Sequence, residues 1–124
     1  MSDAIKFLIV DDSNISRKWF IATIPDAFKK NIETIEASNG KSALEIYKEQ
    51  KIDIVFLDIT MPDMNGFEVL EKLKELDANA TVIMVSADRQ KSTKAKVLEM
   101  GASGVLNKPV EADKLREVLL ELMQ

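Results

Sequence analysis

The sequence predicts an α/β fold in which a five-stranded parallel sheet carries helices on both faces. Three short apolar runs, residues 7–10, 54–57 and 82–85, have the composition of strands buried on both faces. The segments between them repeat apolar residues every three to four positions, which is typical of amphipathic helices. Because the two patterns alternate five times along 124 residues, the sequence predicts one doubly wound domain spanning residues 1–124.

Two weaker strands complete the predicted sheet. Residues 33–37 are partly charged and residues 105–106 form a very short run, as is common for strands at sheet edges. The three apolar runs are then interior strands. With right-handed crossovers this favours the strand order 2-1-3-4-5 of flavodoxin-like folds.

The first predicted helix places Ile15, Trp19, Phe20 and Ala22 on one face and ends before Pro25. We expect Trp19 to pack in the core or at its rim, and Arg17 and Lys18 to lie on a solvated face. Residues 25–30 lengthen the connection to the second strand and are predicted to hold an extra turn. The later helices are marked by apolar residues at helical spacing, namely Ala43, Leu44 and Tyr47, then Phe67, Leu70 and Leu73, then Ala95 and Leu98, and finally Ala112, Leu115, Val118, Leu119 and Leu122.

The composition limits the chemistry that the chain can perform. Lys and Arg number 17 against 21 Asp and Glu, a net charge of −4, which argues against nucleic acid as the main partner. There is no Cys and no His, so a thiolate nucleophile, a disulfide scaffold and the usual zinc ligands are excluded. Reactions must therefore use carboxylates, hydroxyls and lysines.

Polar residues follow four of the five predicted strands. Asp11 and Asp12 follow the first strand, Asp58 the third, Ser86 the fourth and Lys108 the fifth. In a doubly wound sheet, ligands bind at the carboxyl ends of the strands, near the reversal of strand order. We therefore expect these five residues to converge on one crevice.

Three neighbouring carboxylates repel one another unless a cation accompanies them. A ligand set of oxygen atoms alone suits Mg²⁺, with Mn²⁺ as the alternative, rather than zinc. A lysine and a hydroxyl opposite the metal form an anion site. A carboxylate beside both can attack phosphorus, because the positive groups neutralise charge on the phosphoryl oxygens. The residues thus predict an aspartate that accepts a phosphoryl group.

The chain resembles the receiver domains of two-component response regulators, and in particular the stand-alone chemotaxis type. The matching residues are Leu8 to Asp12, Leu57 to Gly66, Ser86-Ala87, and Gly101 to Gly104 leading to Lys108-Pro109. The match covers nearly the whole chain, and five sites in the correct order make it specific.

The resemblance implies a role for each matched residue. Asp58 would be the phosphoacceptor, and Mg²⁺ would be bound by Asp12, Asp58 and the Thr60 backbone carbonyl, with Asp11 acting mostly through water. Lys108 would pair with the phosphoryl group through a loop containing a cis Lys108–Pro109 bond. Ser86 would swing inward and carry Ala87 and its loop with it.

One position departs from the family pattern. Three residues before Lys108 the family commonly has Tyr or Phe as a rotamer switch, and here the residue is Val105. Valine has no ring to move and a stiff χ1 angle. We therefore expect output to depend on the loop after Ser86 and on the helix that follows it. Thr60 and Asp88 occupy positions that tune hydrolysis in the family.

The resemblance implies a histidine kinase or phosphotransfer protein as donor. It also implies a target bound through the last strand and its two flanking helices. The family catalyses its own phosphoryl transfer and hydrolysis and is not an enzyme for external substrates. We expect a cytoplasmic monomer, with no membrane insertion and no nucleic acid partner.

Two alternatives remain open. A constitutive scaffold would need none of the phosphorylation chemistry. A Mg²⁺-dependent aspartyl phosphatase would want a second Asp two positions after Asp58, where this chain has Thr60. A flavodoxin or a P-loop protein is disfavoured because no glycine-rich loop follows the first strand.

Overall fold

A computed structural model describes residues 4–123 of the chain. In this range one sheet contains five strands, namely β1 (Ile5–Val10), β2 (Ile32–Ala37), β3 (Ile54–Asp58), β4 (Val82–Ser86) and β5 (Gly104–Asn107). Their order is β2-β1-β3-β4-β5, and every neighbouring pair is parallel. The predicted fold class, strand order and edge strands are confirmed.

Six helices connect and flank the strands between residues 4 and 123. They are α1 (Asn14–Thr23), α2 (Asp26–Lys29), α3 (Gly40–Glu49), α4 (Gly66–Leu76), α5 (Lys91–Glu99) and α6 (Ala112–Leu122). The single turn of α2 confirms the extra turn predicted after Pro25. It lies there because Pro25 has no backbone N–H to extend α1 but is compatible with the start of a new helix.

Alternate residues of the interior strands enter two separate apolar cores. Leu8 and Val10 of β1 belong to a core with α3, α4 and α5, whereas Phe7 and Ile9 face α1 and α6 on the other side of the sheet. The cause is the two-residue period of a strand, which sends successive side chains to opposite faces. Burial on both faces explains why these strands consist of continuous apolar runs.

Polar side chains cap the helices that begin beside the carboxyl edge of the sheet. Ser13 accepts a hydrogen bond from the Ser16 N–H at the start of α1. Asn65 accepts one from the Glu68 N–H at the start of α4. Such caps satisfy N–H groups that have no partner within the helix. They hold the first turns of α1 and α4 beside the ends of β1 and β3.

The predicted core face of α1 is correct for Phe20 but wrong for Ile15 and Trp19. Ile15 and Trp19 are 80% and 62% exposed, and the core contacts of α1 come from Phe20 together with Ile24 just after the helix. Ile15 with Trp19 and Phe20 with Ile24 are both pairs with a spacing of four, so both satisfy the helical pattern. The second pair lies five residues after the first, so the two faces differ by a rotation of about 140°.

No helix between Ala4 and Met123 combines the length and the apolar character needed to cross a membrane.

Gly66 allows the start of α4 to lie against the end of β3. A Cβ atom at this position would lie 2.5 Å from the Asp58 carbonyl oxygen and 2.6 Å from the Ile59 Cα. The Gly66 N–H also donates to the Ile59 carbonyl at 2.8 Å. Because both clashing atoms belong to the backbone, no side-chain rotation can relieve the overlap.

We expect Gly66→Ala to lower the free energy of unfolding by about 1–3 kcal/mol, the usual cost of overpacking. Urea denaturation measures this loss. Gly104→Ala is the matched control, because its Cβ would lie 3.4 Å from the flexible end of Ile83, an ordinary contact. Equal stability losses in the two variants would contradict the assigned role of Gly66.

Candidate functional site

The five predicted site residues lie at the carboxyl edge of the sheet. Parallel register sets their heights, since Val10 of β1 lies opposite Leu57 of β3, and Asp58 lies opposite Val85 of β4. Asp11 therefore follows β1 at the level where Asp58 ends β3. Ser86 ends β4 beside Asn107 of β5, which places Lys108 at the same edge. Residues that are far apart in sequence are brought together by strand pairing.

Three carboxylates form the acidic part of the site. Oxygen atoms of Asp11, Asp12 and Asp58 lie within 4.8 Å of one another. Asp11 and Asp58 are each only 6% exposed, whereas Asp12 is exposed. The set contains only oxygen donors, and the sequence has no His or Cys to add. This donor set fits Mg²⁺ or Mn²⁺ and does not fit a structural zinc ion.

The ammonium group of Lys108 lies between the two buried carboxylates. Lys108 Nζ donates to Asp11 Oδ2 at 3.0 Å and lies 3.3 Å from Asp58 Oδ1. Its backbone N–H donates to the Ser86 carbonyl at 2.8 Å, which joins the β5 loop to the end of β4. The Lys108–Pro109 peptide bond is cis.

The pKa values of the two buried carboxylates are shifted in opposite directions. Burial raises the pKa of Asp58, and the Lys108 charge opposes this shift only in part. Burial would raise the pKa of Asp11, but hydrogen bonds from the Ser13 N–H, Ser16 and Lys108 outweigh it and hold that pKa below its usual range. Burial would lower the pKa of Lys108, yet its two carboxylate partners raise it. Lys108 is therefore a stable cation at neutral pH.

Asp11 and Asp12 do not cap α1, which is the simpler explanation for an aspartate pair at a helix start. The capping residue is Ser13. The Asp11 carboxylate instead accepts the Ser13 N–H at 3.0 Å and the Lys108 ammonium. Its two oxygens are thereby aimed along the loop and into the crevice.

Ser86 is buried, 3% exposed, and its hydroxyl is engaged in the loop after β4. The Ser86 Oγ accepts a hydrogen bond from the Asp88 N–H at 2.9 Å. The Asp88 carboxylate accepts from the Gln90 N–H at 2.8 Å and from the Thr93 hydroxyl at 2.7 Å. A chain of hydrogen bonds therefore joins Ser86 to the first turn of α5. Ser86 does not cap α5, because Gln90 occupies the N-cap position of that helix.

The remaining predicted residues lie around this crevice. Thr60 and Ala87 are exposed in the loops after β3 and β4. Val105 of β5 is half-buried and packs against the core beside α3, α4 and α5.

Two features of the site are absent from the sequence predictions. An apolar groove of about 600 Å³ leads to Asp58 and Lys108, and Ile15, Trp19 and Pro109 line it. Arg17 is not on a solvated face as predicted, since its side chain is only 12% exposed. The sequence did contain a signal for the groove. Ile15 and Trp19 are two large apolar residues spaced by four, just after the polar end of β1, and such a pair can line a groove as well as face a core.

Comparison with known proteins places this geometry in a family. Residues 7–120 match the response regulator receiver domain. The chain is 41% identical to the chemotaxis protein CheY of Bacillus subtilis over 94% of this chain and 95% of the relative. It is 33% identical to sporulation initiation phosphotransferase F of the same organism, over 92% of this chain and 90% of the relative.

Solved structures show the same fold. CheY in the CheX–CheY–BeF3–Mg complex of Borrelia burgdorferi superposes with a TM-score of 0.88 at 33% identity, covering 98% of this chain and 91% of that one. The CheY4 structure of Vibrio cholerae gives a TM-score of 0.85 at 26% identity, covering 96% and 98%. The chain belongs to the response regulator receiver domain family.

Proposed function

We propose that residues 1–124 form one receiver domain in which Asp58 accepts a phosphoryl group and thereby switches a protein-binding surface. The donor is a histidine kinase or a phosphotransfer protein. One observation carries the proposal: a buried aspartate ends a central strand 3.3 Å from a lysine ammonium, with two further carboxylates within reach of one cation.

The chemistry needs an ionised carboxylate and positive charge around the transferred group. An oxygen of Asp58 attacks phosphorus, and the bond from phosphorus to the donor breaks, so the donor leaves with the bonding electrons. The Lys108 ammonium offsets the negative charge on the phosphoryl oxygens. Asp11, Asp12, Asp58 and the Thr60 carbonyl would hold Mg²⁺, or Mn²⁺ in its place. When bound, the ion supplies charge neutralisation at the phosphoryl oxygens.

We assign the donor's approach to the groove beside Asp58. Ile15 and Trp19 are exposed on one side of its opening, and Pro109 lies in its lining. A donor protein that approaches Asp58 through this groove would contact its rim. Exposed large apolar side chains here give such a partner an anchor.

We assign output to α5, β5 and α6. Leu98 on α5 and Leu120 on α6 are 42% and 45% exposed, and Val105 on β5 is half-buried. Without an aromatic side chain at position 105, the connection from Ser86 through Asp88 and Thr93 to α5 is the direct structural route. As the Ser86 hydroxyl turns toward the phosphoryl group, it releases the Asp88 N–H and frees the loop to move α5.

A scaffold that needs no phosphorylation is the alternative. It shares the fold and the apolar surfaces but predicts no covalent adduct. Formation of a phosphoryl adduct that requires Asp58 separates the two hypotheses.

Incubation with acetyl phosphate and Mg²⁺ is expected to add the mass of one phosphoryl group, as measured by intact-protein mass spectrometry. The adduct should vanish in Asp58→Asn and in excess EDTA. Asp63→Asn is the control, because Asp63 is an exposed aspartate in the same loop with φ of 66°, a conformation that Asn also tolerates. An adduct that persists in Asp58→Asn would reject Asp58 as acceptor, and no adduct in the wild type would favour the scaffold.

In the metal-free protein, the buried charge of Asp58 is expected to destabilise the fold to an extent that depends on pH. Its pKa is raised above the ordinary value of 3.8, chiefly by burial. As pH rises from 3.8 toward the higher pKa of the folded protein, Asp58 loses its proton first in the unfolded chain, so the free energy of unfolding falls. Above the folded pKa the whole destabilisation by the buried charge is present. Asp58→Asn removes this charge. It should melt higher than the wild type at pH 7 in EDTA, and this gain should disappear below pH 3.8.

Calorimetric melting curves at several pH values test that prediction. Asp63→Asn serves again as the comparison, since its carboxylate is exposed. A gain in Asp58→Asn that is constant from pH 3 to 7 would show that the carboxylate's charge is not its source.

The hydrogen bond from Thr93 to Asp88 is expected to carry the switch to α5. In Thr93→Val, beryllofluoride with Mg²⁺ should still shift the NMR amide signals next to Asp58, while shifts in α5 shrink. Ser92→Ala is the matched control, because Ser92 lies on the same turn and bonds only the Gln90 side chain, at 3.4 Å. Unreduced α5 shifts in Thr93→Val would exclude this route.

A further inference from the structure

Arg17 of α1 makes three hydrogen bonds beside the acidic loop. Its Nη1 donates to the Asp11 carbonyl oxygen at 2.7 Å, Nε to Glu36 Oε1 at 2.9 Å, and Nη2 to Asn14 Oδ1 at 3.1 Å. With its side chain only 12% exposed, this guanidinium is shielded from water. Its planar fork is used on all three nitrogens, which one ammonium group cannot reproduce.

The bond to Asp11 acts on the backbone between two members of the acidic trio. The Asp11 carbonyl belongs to the peptide unit that joins Asp11 to Asp12, and a peptide unit is planar. Holding that oxygen therefore fixes the direction in which the chain leaves toward Asp12. This matters most for Asp12, because its exposed carboxylate has no surrounding core to orient it.

Glu36 of β2 holds the guanidinium in place from the other side. It lies opposite Ile9 in the β1–β2 register, two residues before Asp11. Its second oxygen accepts a hydrogen bond from Lys18, which is mostly exposed. The Asp11 N–H donates to the Ala37 carbonyl at 3.1 Å, so β2 supports the loop through the backbone as well. Arg17 thus links the edge strand β2 to the loop that carries Asp11 and Asp12.

We propose that Arg17 is the positioning residue of the cation site, and that it sets the Asp11–Asp12 peptide so that both carboxylates face Asp58. This inference rests on the proposed function, because it assumes that the acidic trio binds a divalent cation. Arg17 itself does not touch the cation or the phosphoryl group.

Charge and geometry make opposite predictions for Arg17. Removing a nearby positive charge should by itself tighten binding of a cation. Removing a group that orients ligands weakens metal affinity, typically by about 10–100-fold. Arg17→Lys keeps the charge but loses the fork, whereas Arg17→Met loses both, so the pair separates the two effects.

Isothermal titration with Mg²⁺ alone, well below each variant's melting temperature, is the test. We expect Arg17→Met and Arg17→Lys each to weaken Mg²⁺ binding by about tenfold or more. Lys18→Met is the matched control, since Lys18 bonds the same Glu36 but does not contact Asp11, and its affinity should equal that of the wild type. Arg17→Lys retains the buried stem, so it stays measurable if Arg17→Met fails to fold.

The outcomes separate this proposal from the proposed function. A wild type that does not bind Mg²⁺ would overturn the cation site and the inference with it. A wild type that binds, with both Arg17 variants binding equally well, would overturn the positioning role alone. Tighter binding by Arg17→Met with unchanged binding by Arg17→Lys would show that only charge acts there. A lowered melting temperature with unchanged affinity would reduce Arg17 to a structural residue.

Discussion

Two buried carboxylates can share one crevice only if positive charge accompanies them. Asp11 and Asp58 are each 6% exposed, and the Lys108 ammonium lies 3.0 Å and 3.3 Å from their oxygens. Removing the lysine charge would leave two carboxylates buried without compensation, which is costly. The carboxyl end of β5 must therefore stay beside those of β1 and β3, although β4 separates β5 from β3 in the sheet. The parallel order supplies that arrangement.

Two apolar cores support the charged crevice, and each lies beneath a different part of it. The core beside α1 and α6 includes Phe20 and Phe56, whose ring centres lie 4.7 Å apart beneath the groove. The core on the other face contains Met61 and Val69, next to the loop that follows Asp58. Packed cores resist small displacements, so the carboxylates keep their spacing. In the loop after β4, hydrogen bonds through Asp88 join Ser86 to Thr93 of α5.

Sequence reasoning performed best where one pattern had one structural solution. Continuous apolar runs identified the interior strands, and the polar residues that follow the strands lie at one edge of the sheet, as predicted. It failed on α1, where Ile15 with Trp19 and Phe20 with Ile24 satisfied the same spacing. The predicted face combined Phe20, which is buried, with Trp19, which is exposed, and it placed Arg17 on a solvated face. A single rotation of the helix exchanges both assignments, and local sequence has no means of detecting it.

The sequence by itself determined which strands are interior, the edge at which the polar residues gather and the oxygen-only chemistry open to them. These follow from strand period, chain direction and residue type, all of which are local. Tertiary structure alone decided that Ile15 and Trp19 line a groove and that Arg17 holds the Asp11 carbonyl. It also decided that Asp88 joins Ser86 to Thr93. Such contacts depend on how a helix is rotated about its axis and how a loop closes, and both are set by packing against distant segments.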